Sequence, residues 1–310
     1  MAEECETLTK AFSGFGVDEK SIISILGKWH LEQRKSFRKG CPRFFVEDQR
    51  LFERWEDSHI AILEREFSRF KKAIVLWTMH PWERDARMVR DALSKGANSY
   101  NVLIEIACTR SSDELLGARR AYHSIFDHSI EEDVAYHVNN VNRKLLVALL
   151  SSYRYEGAKV TEAIAKSEAK ILSDAIKYVD LKPIENDEVV RILTTRSKAH
   201  LNLVFNHYKE LYGKNIDEDL EDINLKETVL CLSTPQTYFS KVLDLALAVG
   251  ADENTKEALT RVTVTRADTD MKEIKEEYYK LYGVQLLNKI EELTCGNFKD
   301  FLLTLIARSE

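Results

Sequence analysis

Glycine and proline are scarce in this chain, with 11 and 4 among 310 residues. Together they make about 5%, where roughly 12% is usual. Sheet-rich and loop-rich folds need these residues at their turns. β-Sandwiches and doubly wound sheets are therefore disfavoured, and long helices with short connections are expected. Positive charge is also in deficit: 45 Lys and Arg face 51 Asp and Glu, a formal net charge of −6. A chain of that balance is not expected to track nucleic acid through phosphate contacts. An anionic membrane would repel it weakly unless a cation bridges the two. Long apolar runs are missing as well. The most apolar stretches, such as residues 242–251, are short and carry a charge at Asp244, so no bilayer-spanning helix is expected. The start, Met1-Ala2-Glu3-Glu4-Cys5-Glu6, is acidic and lacks the basic opening and apolar run of a secretory signal. Five cysteines (Cys5, Cys41, Cys108, Cys231, Cys295) are an odd number without a C-x-x-C pair. Reduced thiols and a cytoplasmic location are expected from this usage.

What is present is an internal repeat. Glu105-Ile-Ala-Cys-Thr-Arg-Ser111, Arg191-Ile-Leu-Thr-Thr-Arg-Ser197 and Arg261-Val-Thr-Val-Thr-Arg-Ala267 resemble one another. Twelve residues after Arg110, Arg196 and Arg266 stand Tyr122, Tyr208 and Tyr278, and twenty residues after them stand Ile130, Ile216 and Leu286. Apolar runs close each unit at 145–150, 229–232 and 301–306. A first, looser unit puts Trp29 at the arginine position, after Ile22 and Ile23, and closes late at 73–77. It therefore carries an insertion near 43–59. That insertion reads as helical, with Phe44, Phe45, Leu51, Phe52, Trp55, Ile62 and Leu63 on one face. Each unit reads as about five short helices that need their neighbours for burial. The polar stretch 158–182 reads as the linker between the second and third units. The repeated Thr-Arg reads as structural, satisfying nearby carbonyls and carboxylates.

Chemistry is expected in the loop Phe12-Ser13-Gly14-Phe15-Gly16-Val17-Asp18-Glu19. Two glycines follow an amphipathic run (Leu8, Ala11, Phe12) and precede a second helix near Asp18. Glycines permit a backbone in which successive carbonyls turn toward one point. Carbonyl oxygens are hard ligands suited to Ca²⁺, which takes six to eight oxygens. Since carbonyls carry no formal charge, a distant carboxylate should complete such a site. Phe15 at the loop tip has two readings, an apolar anchor for a membrane interface or a side chain folded back under the loop.

The frame and the segment AFSGFGVDEKSIISILG resemble an annexin repeat, whose signature is a GxGT(D/E)E turn after the first helix. WTMHPWERDA, EIACTRS, SSYRYEG and RILTTRSKA resemble the plant branch of that family. The resemblance covers essentially the whole chain. It implies an all-α fold of four repeats of about five helices, at 5–79, 80–151, 158–234 and 235–308, packed as a slightly curved disc. It implies Ca²⁺ ligands in the first repeat: the carbonyls of Phe12, Gly14 and Gly16 and a cap acid at Glu66, with Glu64 as the competing position. The second loop (94–99) has one glycine, and its cap segment 137–140 has no acid. The third (182–187) has no glycine. The fourth has lost its GxG, leaving Val249, Ala251 and Glu292 as a doubtful site.

The function implied is Ca²⁺-dependent, peripheral binding to anionic phospholipid membranes, in calcium or stress signalling. A Ca²⁺-permeable pathway or an actin-linked scaffold is the alternative. Enzyme activity, peroxidase or nucleotide hydrolysis, ranks below both. Lys28 stands where the peroxidase proposal needs histidine, no GxxxxGK(S/T) or HExxH is present, and the eight histidines show no metal-ligand spacing. Cys108 and Cys231 match plant-branch cysteines suspected of redox sensing; two buried thiols is the other reading.

Overall fold

A computed structural model describes residues 2–48, 52–151, 153–178 and 180–308. The chain begins with α1 (Ala2–Ala11), α2 (Glu19–Leu26) and α3 (Leu31–Gly40). Two short strands, β1 (Phe45–Glu47) and β2 (Glu53–Trp55), lead into α4 (Asp57–Thr78). Then come α5 (Pro81–Lys95), α6 (Tyr100–Thr109), α7 (Ser112–Phe126), α8 (Ile130–His137) and α9 (Asn142–Leu150). The third set is α10 (Glu162–Lys177), α11 (Asp187–Thr195), α12 (Lys198–Tyr212), α13 (Ile216–Asp219) and α14 (Ile223–Ser233). The last is α15 (Pro235–Ala246), α16 (Glu253–Arg266), α17 (Met271–Tyr282), α18 (Leu286–Leu293) and α19 (Gly296–Ala307).

The elements form two compact units, residues 1–78 with 239–310, and residues 79–238. In the second unit α6 packs on α14 and α9, and α11 packs on α9. In the first, α4 packs on α16 and α19.

The recurring Thr-Arg satisfies nearby carboxylates and carbonyls, as expected of residues at the end of a packed helix. Arg110 grips Asp85 with two hydrogen bonds of 2.7 and 2.9 Å. Arg196 donates twice to Oε1 of buried Glu168, at 2.9 and 2.6 Å, and Arg266 donates to Asp270 at 2.7 and 2.6 Å. The threonine hydroxyls of Thr109, Thr195 and Thr265 each donate to the carbonyl four residues back. The three tyrosines are fully buried, and each donates its hydroxyl to one carboxylate: Tyr122 to Asp133, Tyr208 to Asp219 and Tyr278 to Asp244. Burial first, then the neighbouring carboxylate, pushes the Tyr122 phenol up to about 12.

Two expectations are corrected. The insertion near 43–59 is not helical but an antiparallel hairpin, with Phe45 opposite Trp55 and Glu47 opposite Glu53. Phe44, Phe45 and Trp55 join Phe12 in one apolar cluster. Phe45 and Trp55 ring centroids lie 4.4 Å apart, and Phe12 lies 5.8 Å from Phe44 and 6.0 Å from Trp55. Phe52 and Ile62 are exposed, and Leu51 lies outside the described residues. The stretch 158–182 is no linker, because it contains α10. Ala165, Ala169 and Leu172 bury one helical stripe together with Glu168 and Ser173, while the lysines Lys166 and Lys170 take the outer side.

The first unit also departs from a five-helix pattern at α4. In the last repeat, within the run Thr294-Cys295-Gly296-Asn297-Phe298, Thr294 and Cys295 separate α18 from α19, and Gly296, with φ +69°, opens α19. The corresponding stretch of α4 reads Ser68-Arg69-Phe70. With the glycine gone and the connection shorter, nothing interrupts the helix, which runs for 22 residues.

Candidate functional site

Between α1 and α2 the chain turns through Ser13, Gly14, Phe15 and Gly16. Gly16 has φ +93°, a conformation that side chains disfavour, and a Cβ there would sit 2.6 Å from the Cys295 carbonyl oxygen. A Cβ on Gly14 would meet the Cys295 Sγ at 2.6 Å. Both glycines are therefore needed for the loop to lie against residues 294–298. The Cys295 amide donates to the Phe15 carbonyl at 3.0 Å, and the Asn297 amide donates to Glu19 at 3.1 Å. On the far side, Asp18 caps α2 by accepting from Ser21. Among the described residues no backbone amide donates to the carbonyls of Phe12, Gly14 or Gly16.

Glu66 reaches this loop from α4. The Gly16 amide donates to its Oε2 at 2.8 Å, although the two residues are 50 apart in sequence. Glu66 is 5% exposed, whereas Glu64, two positions away, is exposed and turned outward. The Glu66 charge is not free, however. Arg69, itself 6% exposed, donates from Nε to Oε2 at 2.6 Å and from Nη2 to Oε1 at 2.7 Å. Its Nη2 also donates to Glu253 at the start of α16, at 2.6 Å. Arg65 pairs with Glu253 at 2.9 Å. Burial would lower the Arg69 pKa, but bonds to Glu66 and Glu253 outweigh it and hold that pKa raised.

Phe15 is folded back and half-buried rather than standing out as an anchor. Its ring lies 5.9 Å from Phe298, with the Arg69 guanidinium 4.7 Å and the Lys256 ammonium 5.6 Å from its centroid. The cations favour the negative face of the ring, which gives the side chain a polar reason to stay down.

The remaining loops differ. Gly96 (φ +77°) opens a single helical turn at Ala97–Ser99, and the Asn139 side chain opposite accepts from Arg143. In the third set, Asn186 caps α11 after a turn at Pro183–Glu185. In the fourth, Gly250 has φ +82° and Val249 is 98% exposed, while Glu292 is exposed on α18. No hydrogen bond joins Glu292 to Val249 or Ala251 among the described residues.

The five cysteines form no disulfides. Cys108 and Cys231 are buried, and burial pushes the Cys108 thiol up to about 11. Reading the sequence missed Arg69, Glu253 and the Cys295–Phe298 support. The signal was present in the shortened Ser68-Arg69-Phe70, where a charged residue follows a candidate ligand by one helical turn.

Recurring sets of helices, with a glycine loop facing a buried carboxylate of α4, define a helical repeat protein. The model of the annexin family matches residues 84–149, 167–223 and 243–305. Annexin D4 of Arabidopsis thaliana is 53% identical over 314 residues, covering 99% of this chain and 98% of that protein. The solved structure of an annexin A8 variant superposes with a TM-score of 0.69 at 28% identity, covering 98% of this chain and 93% of that one. A calcium-bound annexin (Sm)1 shares the fold, with a TM-score of 0.65 at 20% identity over 98% of this chain and 89% of that one. The chain belongs to the annexin family. The matched residues begin after the hairpin and the continuous α4.

The donor set at the first loop has the chemistry a calcium ion takes. Calcium takes hard oxygen ligands. Loop 12–16 offers peptide oxygens, and Glu66 brings a full negative charge within one hydrogen bond of Gly16. Arg69 is the group now neutralising that charge.

Proposed function

We propose that this annexin attaches to anionic phospholipid membranes when Ca²⁺ is raised, and that the loop after α1 is its principal calcium site. The carbonyls of Phe12, Gly14 and Gly16 and the Glu66 carboxylate are the ligands, and lipid phosphate or water fills the remaining positions. The single observation that supports this most is the hydrogen bond from Gly16 to Glu66, which puts a buried carboxylate beside the glycine loop. The net charge of −6 makes a dication the natural bridge to an anionic surface. The boundaries 5–79, 80–151, 158–234 and 235–308 are the repeat limits this reading uses. The second and third repeats contribute no site, and the fourth is at most weak.

Attachment is peripheral, since no helix among the described residues is long and apolar enough to cross a membrane. Val249, nearly fully exposed at its loop, takes over the apolar contact that Phe15 does not make. A cytoplasmic protein of this kind reads a calcium or stress signal by changing place. A binding protein rather than an enzyme is supported by the repeated arginines, each occupied by a structural carboxylate. Co-sedimentation with phosphatidylserine vesicles tests the reading. The protein should pellet in Ca²⁺ and stay in the supernatant in chelator; equal pelleting in both would defeat it.

A further inference from the structure

We propose that Arg69 is an internal competitor for calcium, a built-in cation that occupies the Glu66 carboxylate until Ca²⁺ displaces it. The inference rests on Glu66 being a calcium ligand and adds what sets the affinity of that ligand.

The geometry carries it. Both Glu66 oxygens accept from Arg69, at 2.6 and 2.7 Å, and the pair is buried on both sides. A carboxylate so engaged has little charge to offer a second cation. Calcium therefore binds to the difference between its own attraction and that of the guanidinium. The guanidinium has a second acceptor in reach, because Nη2 already donates to Glu253 at 2.6 Å. Glu253 is held ionised: burial would raise its pKa, but the Arg69 and Lys256 charges lower it. Glu253 also stands where α16 packs on α4, so it can keep Arg69 when Glu66 turns to calcium. Release of Arg69 from Glu66 thus needs no unpaired buried charge. The Phe15 ring, stacked on the same guanidinium, couples loop 12–16 to that transfer.

Arg69 and Glu253 should then change calcium affinity in opposite directions. Removing Arg69 frees Glu66, whereas removing Glu253 leaves Arg69 to Glu66 alone. A guanidinium–carboxylate contact is a charge-assisted bond, so Arg69→Gln should tighten Ca²⁺ binding at the first loop roughly tenfold. Glu253→Gln should weaken it several-fold.

The test is a calorimetric titration of CaCl₂ into the full chain and into Arg69→Gln, Glu253→Gln and Glu66→Gln, with thermal unfolding measured alongside. Tighter binding in Arg69→Gln with weaker binding in Glu253→Gln establishes the competitor. Unchanged or weaker binding in Arg69→Gln, while Glu66→Gln loses the first-loop event, overturns it and leaves the ligand assignment standing. If Glu66→Gln binds Ca²⁺ as the wild type does, the ligand assignment fails and the competitor with it. Should Arg69→Gln not fold, Arg69→Lys gives the same reading, because a lysine grips one oxygen less well. It should bind Ca²⁺ more tightly than the wild type, and failure to do so counts against the proposal.

Discussion

Neutralising Glu66 should be costly to the fold, not only to calcium binding. The Glu66 and Arg69 side chains are 5% and 6% exposed and share two hydrogen bonds, with a third to Glu66 from Gly16. Removing one partner of a buried pair leaves the other charge uncompensated, at roughly 3–5 kcal/mol when nothing else is near. Arg69 keeps Glu253 at 2.6 Å. Glu66→Gln is therefore expected to lose only about 2 kcal/mol. Glu66 has a poorer substitute, Arg65 at 3.8 Å, so Arg69→Gln should lose about 3 kcal/mol. The double variant sets two amides side by side and should lose about 2 kcal/mol, which makes the coupling about 3 kcal/mol. Urea unfolding in chelator, followed by tryptophan fluorescence, is the assay. Trp29, Trp55 and Trp77 lie in the same unit as the pair, and Trp82 lies in the other. A coupling below about 0.5 kcal/mol would mean the two residues act independently and would refute the argument.

Gly16→Ala should destabilise the first unit by about 2 kcal/mol or more, since φ is +93° and the new Cβ would press on the Cys295 carbonyl; chemical denaturation measures it, and a neutral result would mean the loop adapts freely. Cys108 should resist alkylation at pH 8 in the native state, because burial pushes its thiol up to about 11; rapid labelling there would show the site to be open. Glu168 should shape the acid limb of the second unit. Burial favours its neutral form, but hydrogen bonds from Arg196, His200 and Arg191 outweigh that and hold its pKa below the ordinary 4.5. A depressed carboxylate stabilises fully above its unfolded pKa and loses that contribution as pH falls. Stability should therefore drop below about pH 4.5, and Glu168→Gln should be less stable at pH 7 with a flatter acid limb.

The helical architecture was legible because it rests on local signals repeated at fixed spacing. Thr-Arg and the tyrosine twelve residues on recur because each arginine and each tyrosine is held by a carboxylate, although the carboxylate comes from a different position in the last repeat. The insertion was misread because four aromatics within a dozen residues fit a helical face as well as a hairpin. Only pairing between Phe45 and Trp55 separates the two, and that is not a property of spacing. Residues 158–182 looked like a linker because the buried side of α10 is made mostly of alanines and polar residues, with Leu172 its one large buried hydrophobe. At the candidate site, the glycine loop and Glu66 could be named, but the partners of Glu66 could not. Glu253 is 184 positions from Arg69, and a pairing that distant leaves no periodic trace.

The most direct test is a diffraction experiment on crystals grown in CaCl₂, with an anomalous difference map to locate the ions. If Glu66 is the ligand that Arg69 holds, a calcium peak is expected in loop 12–16, with the carbonyl oxygens of Phe12, Gly14 and Gly16 and a Glu66 carboxylate oxygen each at roughly 2.3–2.6 Å. Arg69 should have left Glu66 and should remain on Glu253. A strong peak at Val249 and Ala251 with none at loop 12–16, or a bound ion there with the Glu66–Arg69 pair intact, would contradict that expectation.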